Sequence, residues 1–390
     1  GRAEVRFFAF DDPGADAVVR PGDTLRLAVH GERPRTVPIP ALVADVDAGA
    51  DAVRGTAPPG TALDVELVLG GPTPTVVRRQ ATAAADGTFA LELAGEVDLP
   101  VGAVVGTVAY VDAEGTRFVA RVAALRAELT LGSGWVRGAV TPGTTVDVVL
   151  QSAATGNVGR ASVGEVVGGA GWSAQLPPTT GGPGPGPGPG PGMGFPGARP
   201  EHRVAPGDVV TATVSGGPLG GAGGGRSLVA AVPAMAVAID PGDDAVAGTG
   251  PADAELIVRA SSLDGASVER RVTTDASGAF AASLAGAADL GPGWRVRVDW
   301  EAAPGLRIGA LAVVPATEVA VGTDVVRGLA DVGTGVTVTL RGPGGEALWQ
   351  RALRADDRGE YRTAAGFALG GPPAVIAAGM RVEVAEVAGD

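Results

Sequence analysis

The chain lacks cysteine and lysine, and it has a single asparagine, Asn157, among its 390 residues. Without cysteine, disulfide bridges and thiolate metal sites are excluded. Long hydrophobic runs are missing as well: no segment approaches the ~18–20 consecutive apolar residues that a membrane-spanning helix requires. The sequence therefore predicts no membrane span.

Histidine is nearly absent, which removes most catalytic chemistry. Only His30 and His202 occur, and nucleophilic triads need a histidine in almost every version. Both are interpreted as surface residues. The chain also has no G-x-S-x-G elbow, no phosphate loop with lysine and no H-E-x-x-H motif. The sequence predicts that this protein is not an enzyme and uses no cofactor.

Charge of one sign dominates. The net charge is −13, and all 30 basic residues are arginine. An acidic chain without a basic face is a poor partner for nucleic acid, so nucleic-acid binding is not expected. The pairs Arg78–Arg79 and Arg270–Arg271 are interpreted as solvated strand faces.

Short alternating apolar runs, separated by turn residues, make up most of the chain. Val146–Leu150 and Val336–Leu340 alternate with the period of two that places one strand face in a core and the other in water. Most of the 64 glycines and 31 prolines lie between such runs. This pattern predicts an all-β protein built from antiparallel β-sandwich modules.

Three signals recur along the chain and define a repeat. The first is a Val-x-Gly step that occurs four times: Val53-Arg-Gly55, Val136-Arg-Gly138, Val246-Ala-Gly248 and Val326-Arg-Gly328. The second is a tight turn that leads to an aromatic residue: Phe89, Trp172, Phe280 and Tyr361. The third is a glycine turn before a strong strand: Gly102, Gly207, Gly293 and Gly379. The spacing is longer than that of solenoid repeats, so each copy is predicted to be a domain with its own core.

The repeat divides the chain into four modules and a partial one. Residues 1–40 are interpreted as a partial module or a donor-strand segment. The full modules are module 1 (41–124), module 2 (125–233), module 3 (234–315) and module 4 (316–390). Module 4 is expected to lack the closing strand that the other three have.

Module 2 is longer than the others because of an insertion at 177–200, whose centre is a strict Gly-Pro repeat from Gly181 to Gly192. Proline favours polyproline II and removes backbone donors, so neither helix nor sheet interior fits. We interpret the insertion as an exposed, semi-stiff loop; a projecting arm that contacts a neighbour is the alternative.

These signals resemble the bacterial immunoglobulin-like and carboxypeptidase-regulatory-like repeats of surface and secreted proteins. The resemblance rests on Val-x-Gly, the alternating strand after it, Asp-x-x-Gly-x-aromatic, and Gly-x-x-Val-x-Val, and it covers nearly the whole chain. Module 2 departs from the pattern, with Gly169 in place of the aspartate. The resemblance implies stalks, spacers, adhesins or filament subunits at the cell surface, and no catalytic residues.

The two ends of the chain look complementary. An aromatic strand near the start, with Val5, Phe7, Phe8 and Phe10, could complete module 4 of a neighbouring copy along an acceptor edge at Met380, Val382, Val384 and Val387. Head-to-tail repetition of that contact would build a homopolymer filament. The alternatives are that the missing strands lie in a longer chain, or that residues 1–40 pack on module 1 of the same chain.

The function predicted from these patterns is structural: an extracellular or cell-surface subunit that self-assembles into a filament or sheath. The alternative is an adhesin or carbohydrate-binding spacer in a larger surface protein, with surface glycans as partners. Exposed aromatic side chains on one sandwich face would favour the carbohydrate interpretation.

Acidic turns are the only metal candidates in the sequence. Asp45, Asp47 and Asp51 at one strand-to-strand turn could supply some of the six to eight oxygens that calcium takes. Aspartate is also a common turn former, because its side chain accepts hydrogen bonds from the backbone just after it. Turn formation is the preferred interpretation, and structural calcium is the alternative.

Overall fold

All regular structure in the described part of the chain is β-strand, as the sequence predicts. The structure is a computed structural model, and it describes residues 8–9, 12–16, 20–27, 34–70, 74–100, 102, 104–164, 166, 170–176, 203–216, 226–323, 325–363 and 375–387. Within these residues, no helix is long and apolar enough to cross a membrane.

Two short hairpins precede module 1. β1 (Phe8–Ala9) pairs antiparallel with β2 (Asp12–Asp16), and β3 (Thr24–Leu27) pairs antiparallel with β4 (Arg35–Pro38). Arg35 of β4 donates to Glu114 at 2.8 Å and to Thr116 at 2.6 Å, both in a turn of module 1. The second hairpin therefore contacts module 1 of the same chain.

Module 1 is a sandwich of two antiparallel sheets. Its strands are β5 (Val43–Asp47), β6 (Ala52–Thr56), β7 (Ala62–Leu69), β8 (Thr75–Thr82), β9 (Thr88–Glu92), β10 (Val104–Val111) and β11 (Arg117–Ala123). The first sheet has the order β5-β6-β9 and the second β11-β10-β7-β8. The fourth strand pairs with the third, whereas in constant-type immunoglobulin domains it lies in the opposite sheet.

Module 2 repeats this strand order. Its strands are β12 (Arg126–Thr130), β13 (Trp135–Ala139), β14 (Thr144–Gln151), β15 (Val158–Val163), β16 (Gly171–Gln175), β17 (Val209–Gly216) and β18 (Ser227–Ala231). The sheets have the orders β16-β13-β12 and β15-β14-β17-β18. The Gly-Pro insertion lies outside the described residues.

Module 3 has the same seven strands. They are β19 (Ala236–Asp240), β20 (Ala245–Thr249), β21 (Glu255–Ser262), β22 (Ser267–Thr273), β23 (Ala279–Ser283), β24 (Trp294–Ala303) and β25 (Leu306–Val313). The sheets have the orders β19-β20-β23 and β25-β24-β21-β22.

Module 4 has six strands in its described part. They are β26 (Ala316–Val319), β27 (Val326–Leu329), β28 (Gly335–Arg341), β29 (Ala347–Arg354), β30 (Glu360–Arg362) and β31 (Arg381–Val387). β31 corresponds to β10, β17 and β24, but it pairs only with β28 among the described strands. It is thus the edge strand of a three-stranded sheet.

The Val-x-Gly and aromatic signals of the sequence are two halves of one contact. In every module the glycine and the aromatic residue lie directly opposite each other on paired strands: Gly55 and Phe89, Gly138 and Trp172, Gly248 and Phe280, Gly328 and Tyr361. A Cβ on Gly138 would lie 2.6 Å from the Trp172 ring and 1.8 Å from the Arg126 carbonyl oxygen. Only glycine leaves room for the ring over this strand.

Modules 2 and 3 share one continuous sheet, which the sequence analysis did not predict. β12 pairs in parallel with β25, with Ala127 opposite Leu306 and Leu129 opposite Ile308. This joins the two sheets in the order β16-β13-β12-β25-β24-β21-β22. Leu306 and Ile308 are fully buried in the core of module 2 although they belong to module 3.

Modules 1 and 3 also meet. Gly102, in the loop before β10, lies against Gly305, in the turn between β24 and β25: a Cβ on Gly102 would be 2.2 Å from the Gly305 Cα. Both residues have positive φ, at 74° and 83°. The modules therefore contact more than their immediate neighbours in sequence.

Candidate functional site

One face of the seven-stranded sheet is charged. Glu128 on β12 lies opposite Arg307 on β25. Further along the sheet, Arg297 on β24 lies opposite Arg259 on β21, which in turn lies opposite Glu269 on β22. Because side chains alternate between the two faces of a strand, these residues share one face. The residues between them enter the two cores beneath: Leu129, Val258, Val298 and Ile308.

A buried carboxylate organises this face. Asp299 on β24 is only 2% exposed, and its two oxygens accept hydrogen bonds from Arg297 Nε at 2.6 Å and from a terminal nitrogen of Arg259 at 2.8 Å. Arg297 also donates to Thr130 Oγ1 at 2.7 Å and to the Leu129 carbonyl at 3.2 Å. A charge buried this deeply needs such partners. The network thus ties β24 of module 3 to β12 of module 2.

Glycine at position 309 makes this network possible. Gly309 lies between Asp299 on β24 and Thr130 on β12 in the register of β25. A Cβ there would be 2.5 Å from Asp299 Oδ1 and 3.1 Å from a nitrogen of Arg297. The side chains therefore cross over β25 through the space that a larger residue would fill.

Acidic neighbours keep Arg297 charged. Burial acts to lower the pKa of this guanidinium, but the carboxylates of Asp299, Glu128 and Asp357 together raise the pKa above its ordinary value.

A cleft of about 730 Å³ opens over the charged face. One wall is the shared sheet, and the other comes from module 4, whose turn at Asp357 and Arg358 lines it. Seven arginines line the cleft: Arg126, Arg259, Arg271, Arg295, Arg297, Arg307 and Arg358. The structure therefore brings together cations from three modules that lie far apart in the sequence.

Ion pairs hold module 4 against this sheet. Arg295 of β24 pairs with Glu360 and donates to the Arg358 carbonyl at 3.4 Å. Arg137 of β13 approaches Asp357 at 2.6 Å. Burial raises the pKa of Asp357, and the charge of Arg137 opposes that shift. A further contact joins Arg203 of module 2 to the carbonyl of Gly333 at 3.0 Å.

Five of the seven cleft arginines have a carboxylate partner. Arg126 pairs with Glu128, Arg271 with Glu255 and Arg295 with Glu360, while Arg259 and Arg297 share Asp299. Among the described residues, Arg307 and Arg358 form no ion pair. The carboxylate of Glu301, opposite Arg307 on β24, accepts instead from the Gly305 N–H at 3.2 Å.

A second junction, between modules 1 and 2, is built on Asp45. Its Oδ1 accepts from Thr141 Oγ1 at 2.7 Å, and its Oδ2 pairs with Arg226 at 2.7 Å. Arg226 donates to the Val46 carbonyl at 2.7 Å as well. Thr141 is buried, and its Oγ1 accepts a hydrogen bond from the Ala123 N–H at 3.1 Å. Asp45 is thus a structural residue that locks the two modules together.

The other two calcium candidates have turn roles. Asp47 accepts from the N–H groups of Gly49 and Ala50, both at 3.2 Å. Asp51 has a φ of 49° and accepts from the Leu99 N–H at 2.7 Å. Asp240 and Asp244 do the same in module 3, where Ala238 stands in place of Asp45: Asp240 accepts from Gly242 and Asp243, and Asp244 from Leu290. This repetition favours turn formation over calcium binding.

In the part of the chain that is described, no group of three or more aspartates, glutamates or histidines is placed to hold a metal ion. His30 and His202 lie outside the described residues.

The strand-donation residues are only partly placed. Phe8 lies in β1, opposite Asp16 of β2, whereas Val5, Phe7 and Phe10 lie outside the described residues. On the acceptor side, Val382 and Val384 of β31 pack against the core of module 4, as does Met380 just before the strand. Val387 is the last residue of β31, which pairs only with β28 among the described strands.

The arginine-lined cleft was not predicted from the sequence, because arginines were interpreted there as pairs of adjacent residues. Arg271, interpreted from the sequence as a solvated strand residue, lines the cleft beside Ile257 and Arg259. One signal was available in the sequence. β24 carries arginine at alternate positions, Arg295 and Arg297, followed by Asp299, so one face of this central strand is charged. Opposite charges two residues apart lie on the same face of a strand, and Arg297 and Asp299 form an ion pair there.

No family model matches this chain, and no curated protein matches it. Among solved structures, the chain is similar to a tetra-tandem repeat in the extending region of a large adhesion protein, at 16% identity over 89% of this chain and 98% of that one, with a TM-score of 0.18. It is also similar to a Ca²⁺-stabilised adhesin that helps an Antarctic bacterium bind ice (17% identity, 83% and 89% coverage, TM-score 0.17). A Salmonella α2-macroglobulin matches at 11% identity over 90% of this chain and 33% of that one, with a TM-score of 0.17. At these identities and scores, the likenesses carry no argument about function.

Proposed function

We propose that this chain is a rigid structural spacer of an extracellular or cell-surface protein, and that it has no catalytic role. The observation that carries the proposal is the sheet shared by modules 2 and 3. Flexible tandem domains are joined by linkers with few crossing contacts, whereas here backbone hydrogen bonds and a common core cross the boundary. A spacer that fixes the geometry of its modules needs such a joint.

The other junctions support the same role. Asp45, Thr141 and Arg226 fix module 1 against module 2, and Arg137 and Arg295 fix module 4 against modules 2 and 3. Ion pairs at a surface contribute little by themselves, but these add contacts for modules 1 and 4 to the backbone joint between modules 2 and 3.

Solution scattering of the full chain tests the rigidity. We expect one compact pair-distance distribution that is unchanged between low salt and about 0.5 M salt, because screening weakens exposed ion pairs but not the backbone pairing of β12 with β25. A pair-distance distribution that broadens, as it does for modules that move independently, would contradict the spacer proposal.

Antibody labelling of intact source cells tests the proposed location. A signal that is seen only after the cells are permeabilised would contradict an extracellular or cell-surface location.

Self-assembly by strand donation is a second candidate, and the edge of β31, which is unpaired among the described strands, favours it. Unpaired edges of sheets are usually protected, because they are templates for another strand. A strand from residues 5–10 of a second copy would pair with β31 as β11, β18 and β25 pair with their own neighbours.

Electron microscopy of the purified chain, beside a chain that lacks residues 1–12, tests this assembly. Strand donation predicts filaments for the full chain and monomers for the shortened one. If both remain monomeric, the filament role is wrong, and the spacer role is unaffected.

Binding of surface glycans by aromatic stacking has less support. Among the described residues, the exposed large apolar side chains are all valine or leucine. The described tryptophans lie in cores or are partly covered, so no described sandwich face offers the aromatic platform that the carbohydrate interpretation requires.

A further inference from the structure

The arginine-lined cleft has more positive charge than the structure of the modules needs. Arg259 and Arg297 are fixed by Asp299, and they account for the joint between modules 2 and 3. Arg307 on the shared sheet and Arg358 on module 4 line the same cleft. Neither forms an ion pair in the described part of the chain, although the charge of Arg358 acts on the neighbouring Asp357 carboxyl. The ion pairs that join the modules therefore use neither side chain.

We propose that the cleft binds a dianionic tetrahedral oxyanion, a sulfate or phosphate group, through the guanidinium groups of Arg307 and Arg358. Guanidinium presents N–H donors in a planar fork that fits such oxygens, and charge-assisted hydrogen bonds of this kind are the strong ones. Two unpaired arginines match the charge of one dianion.

A third arginine, Arg126, lines the same cleft. It pairs with Glu128 through a terminal nitrogen at 2.7 Å, and its buried Nε has no hydrogen-bond acceptor in the described structure. Arg126 is at the start of β12, and its neighbour Ala127 pairs with Leu306, next to Arg307. The backbone of Arg126 therefore lies on the strand beside that of Arg307.

The volume of the cleft suits a small molecule. A volume of about 730 Å³ is in the range of about 300–1,000 Å³ that small-molecule sites have. The oxyanion would occupy a fraction of it and leave room for a sugar ring. A long polyanion such as nucleic acid is disfavoured, because the chain carries a net charge of −13 and five of the seven cleft arginines are already neutralised.

Isothermal titration of the full chain, at constant ionic strength balanced with sodium chloride, tests the proposal. We expect saturable binding of inorganic sulfate or phosphate to one site. The double variant Arg307→Gln/Arg358→Gln should bind at least tenfold more weakly. Arg160→Gln, which removes an exposed arginine on β15 outside the cleft, should bind within twofold of the original chain. Circular dichroism and melting curves show that the variants fold.

Two further ligands identify the source of the oxyanion. Equal affinity for inorganic phosphate and glucose 6-phosphate, both dianions at pH 7.5 or above, assigns the site to the free oxyanion, and at least tenfold tighter binding of the ester, with glucose alone inactive, assigns it to a phosphorylated saccharide. Either result supports the proposal. Three results would overturn it: no saturable binding of any oxyanion, unchanged affinity in the double variant, or binding only to a duplex DNA oligonucleotide.

The proposal does not depend on the spacer role, so the two can fail separately. Loss of affinity in the double variant with unchanged solution scattering would show that the cleft binds its ligand on an intact scaffold.

Discussion

At the scale of single residues, the most repeated device in this protein is a glycine under an aromatic ring. The four pairs occur in all four modules, with Phe, Trp, Phe and Tyr as the ring. Each ring packs into a core whose other buried side chains are mostly Val, Leu and Ala, and each glycine opens the space for it. Both halves were recognisable in the sequence as separate local signals, but their contact was not, because two further strands lie between them in the chain.

Replacing one of these glycines tests the steric argument. Gly138→Ala should destabilise module 2 by about 1–3 kcal/mol, the usual cost of overpacking a core. Gly164→Ala, in the same module and with no atom within 4 Å of the added Cβ, should stay within about 0.5 kcal/mol, as surface substitutions do. Denaturant unfolding followed by tryptophan fluorescence measures both. Equal effects would contradict the argument.

The aspartates of the tight turns give a second prediction at this scale, for pH. Hydrogen bonds from Thr88 lower the pKa of Asp86, and those from Ser277 and Ala279 lower the pKa of Asp275 below the ordinary value of 3.8. A carboxyl whose pKa is lower in the folded state stabilises the fold above its unfolded-state pKa, and this contribution is lost as the pH falls through the folded-state pKa.

The variant Asp86→Asn/Asp275→Asn should therefore be less stable than the original chain at neutral pH and equal to it in strong acid. Melting temperatures between pH 7 and pH 2 measure the difference. Ser277→Ala removes the hydrogen bond that lowers the pKa of Asp275 most, and it should reproduce part of the difference in melting temperature. A difference in melting temperature that stays constant from pH 7 to pH 2 would show that the charge of the two aspartates does not stabilise the turns.

At the scale of elements, the strand β24 connects two modules through its buried carboxylate. Removing the charge in Asp299→Asn leaves Arg259 and Arg297 without their shared partner. We expect a loss of about 3 kcal/mol, at the lower end for a broken buried pair, because Arg259 keeps its ion pair with Glu269. Hydrogen exchange of β12 should rise together with that of β25.

A matched control is available on the neighbouring strand of the same sheet. Glu255→Gln breaks an ion pair with Arg271 in which both side chains are about half exposed, so it should cost less than about 1 kcal/mol. If the two substitutions have equal effects, Asp299 is not the organising residue of this face.

The elements also show which parts of the fold a sequence can predict. Alternation of apolar residues and the turn residues between strands are local features, and they predict the all-β fold of tandem sandwich modules. The parallel pairing of β12 with β25 joins the first strand of module 2 to the last strand of module 3. β12 alternates like the first strand of any module, so its own sequence does not reveal the pairing with β25. Only Gly309, inside β25, marks that strand as unusual. The cleft was missed for the same reason, since its arginines converge only after the modules dock.

At the scale of the whole molecule, the shared sheet changes what counts as a folding unit. Leu306 and Ile308 belong to module 3 in sequence but complete the core of module 2. Unfolding module 3 therefore removes part of the module 2 core and exposes an edge of its sheet. Modules 2 and 3 should unfold in a single transition, whereas module 1 has a core of its own and should unfold separately.

Two equivalent valines, each buried on an interior strand of its module, distinguish the joint unfolding of modules 2 and 3 from the separate unfolding of module 1. Val258→Ala in β21 creates a cavity in module 3 and should lower the protection of amides in both module 3 and module 2, by a similar free energy of about 1–3 kcal/mol. Val65→Ala in β7 makes the same cavity in module 1 and should lower protection there alone. Hydrogen exchange with mass spectrometry in increasing denaturant measures the amide protection of every module in one experiment. If Val258→Ala affects module 3 only, β12 and β25 lie side by side without coupling their modules, and the spacer is a row of independent domains. If protection falls in modules 2 and 3 together, the parallel pair is the joint that makes the two modules one rigid body.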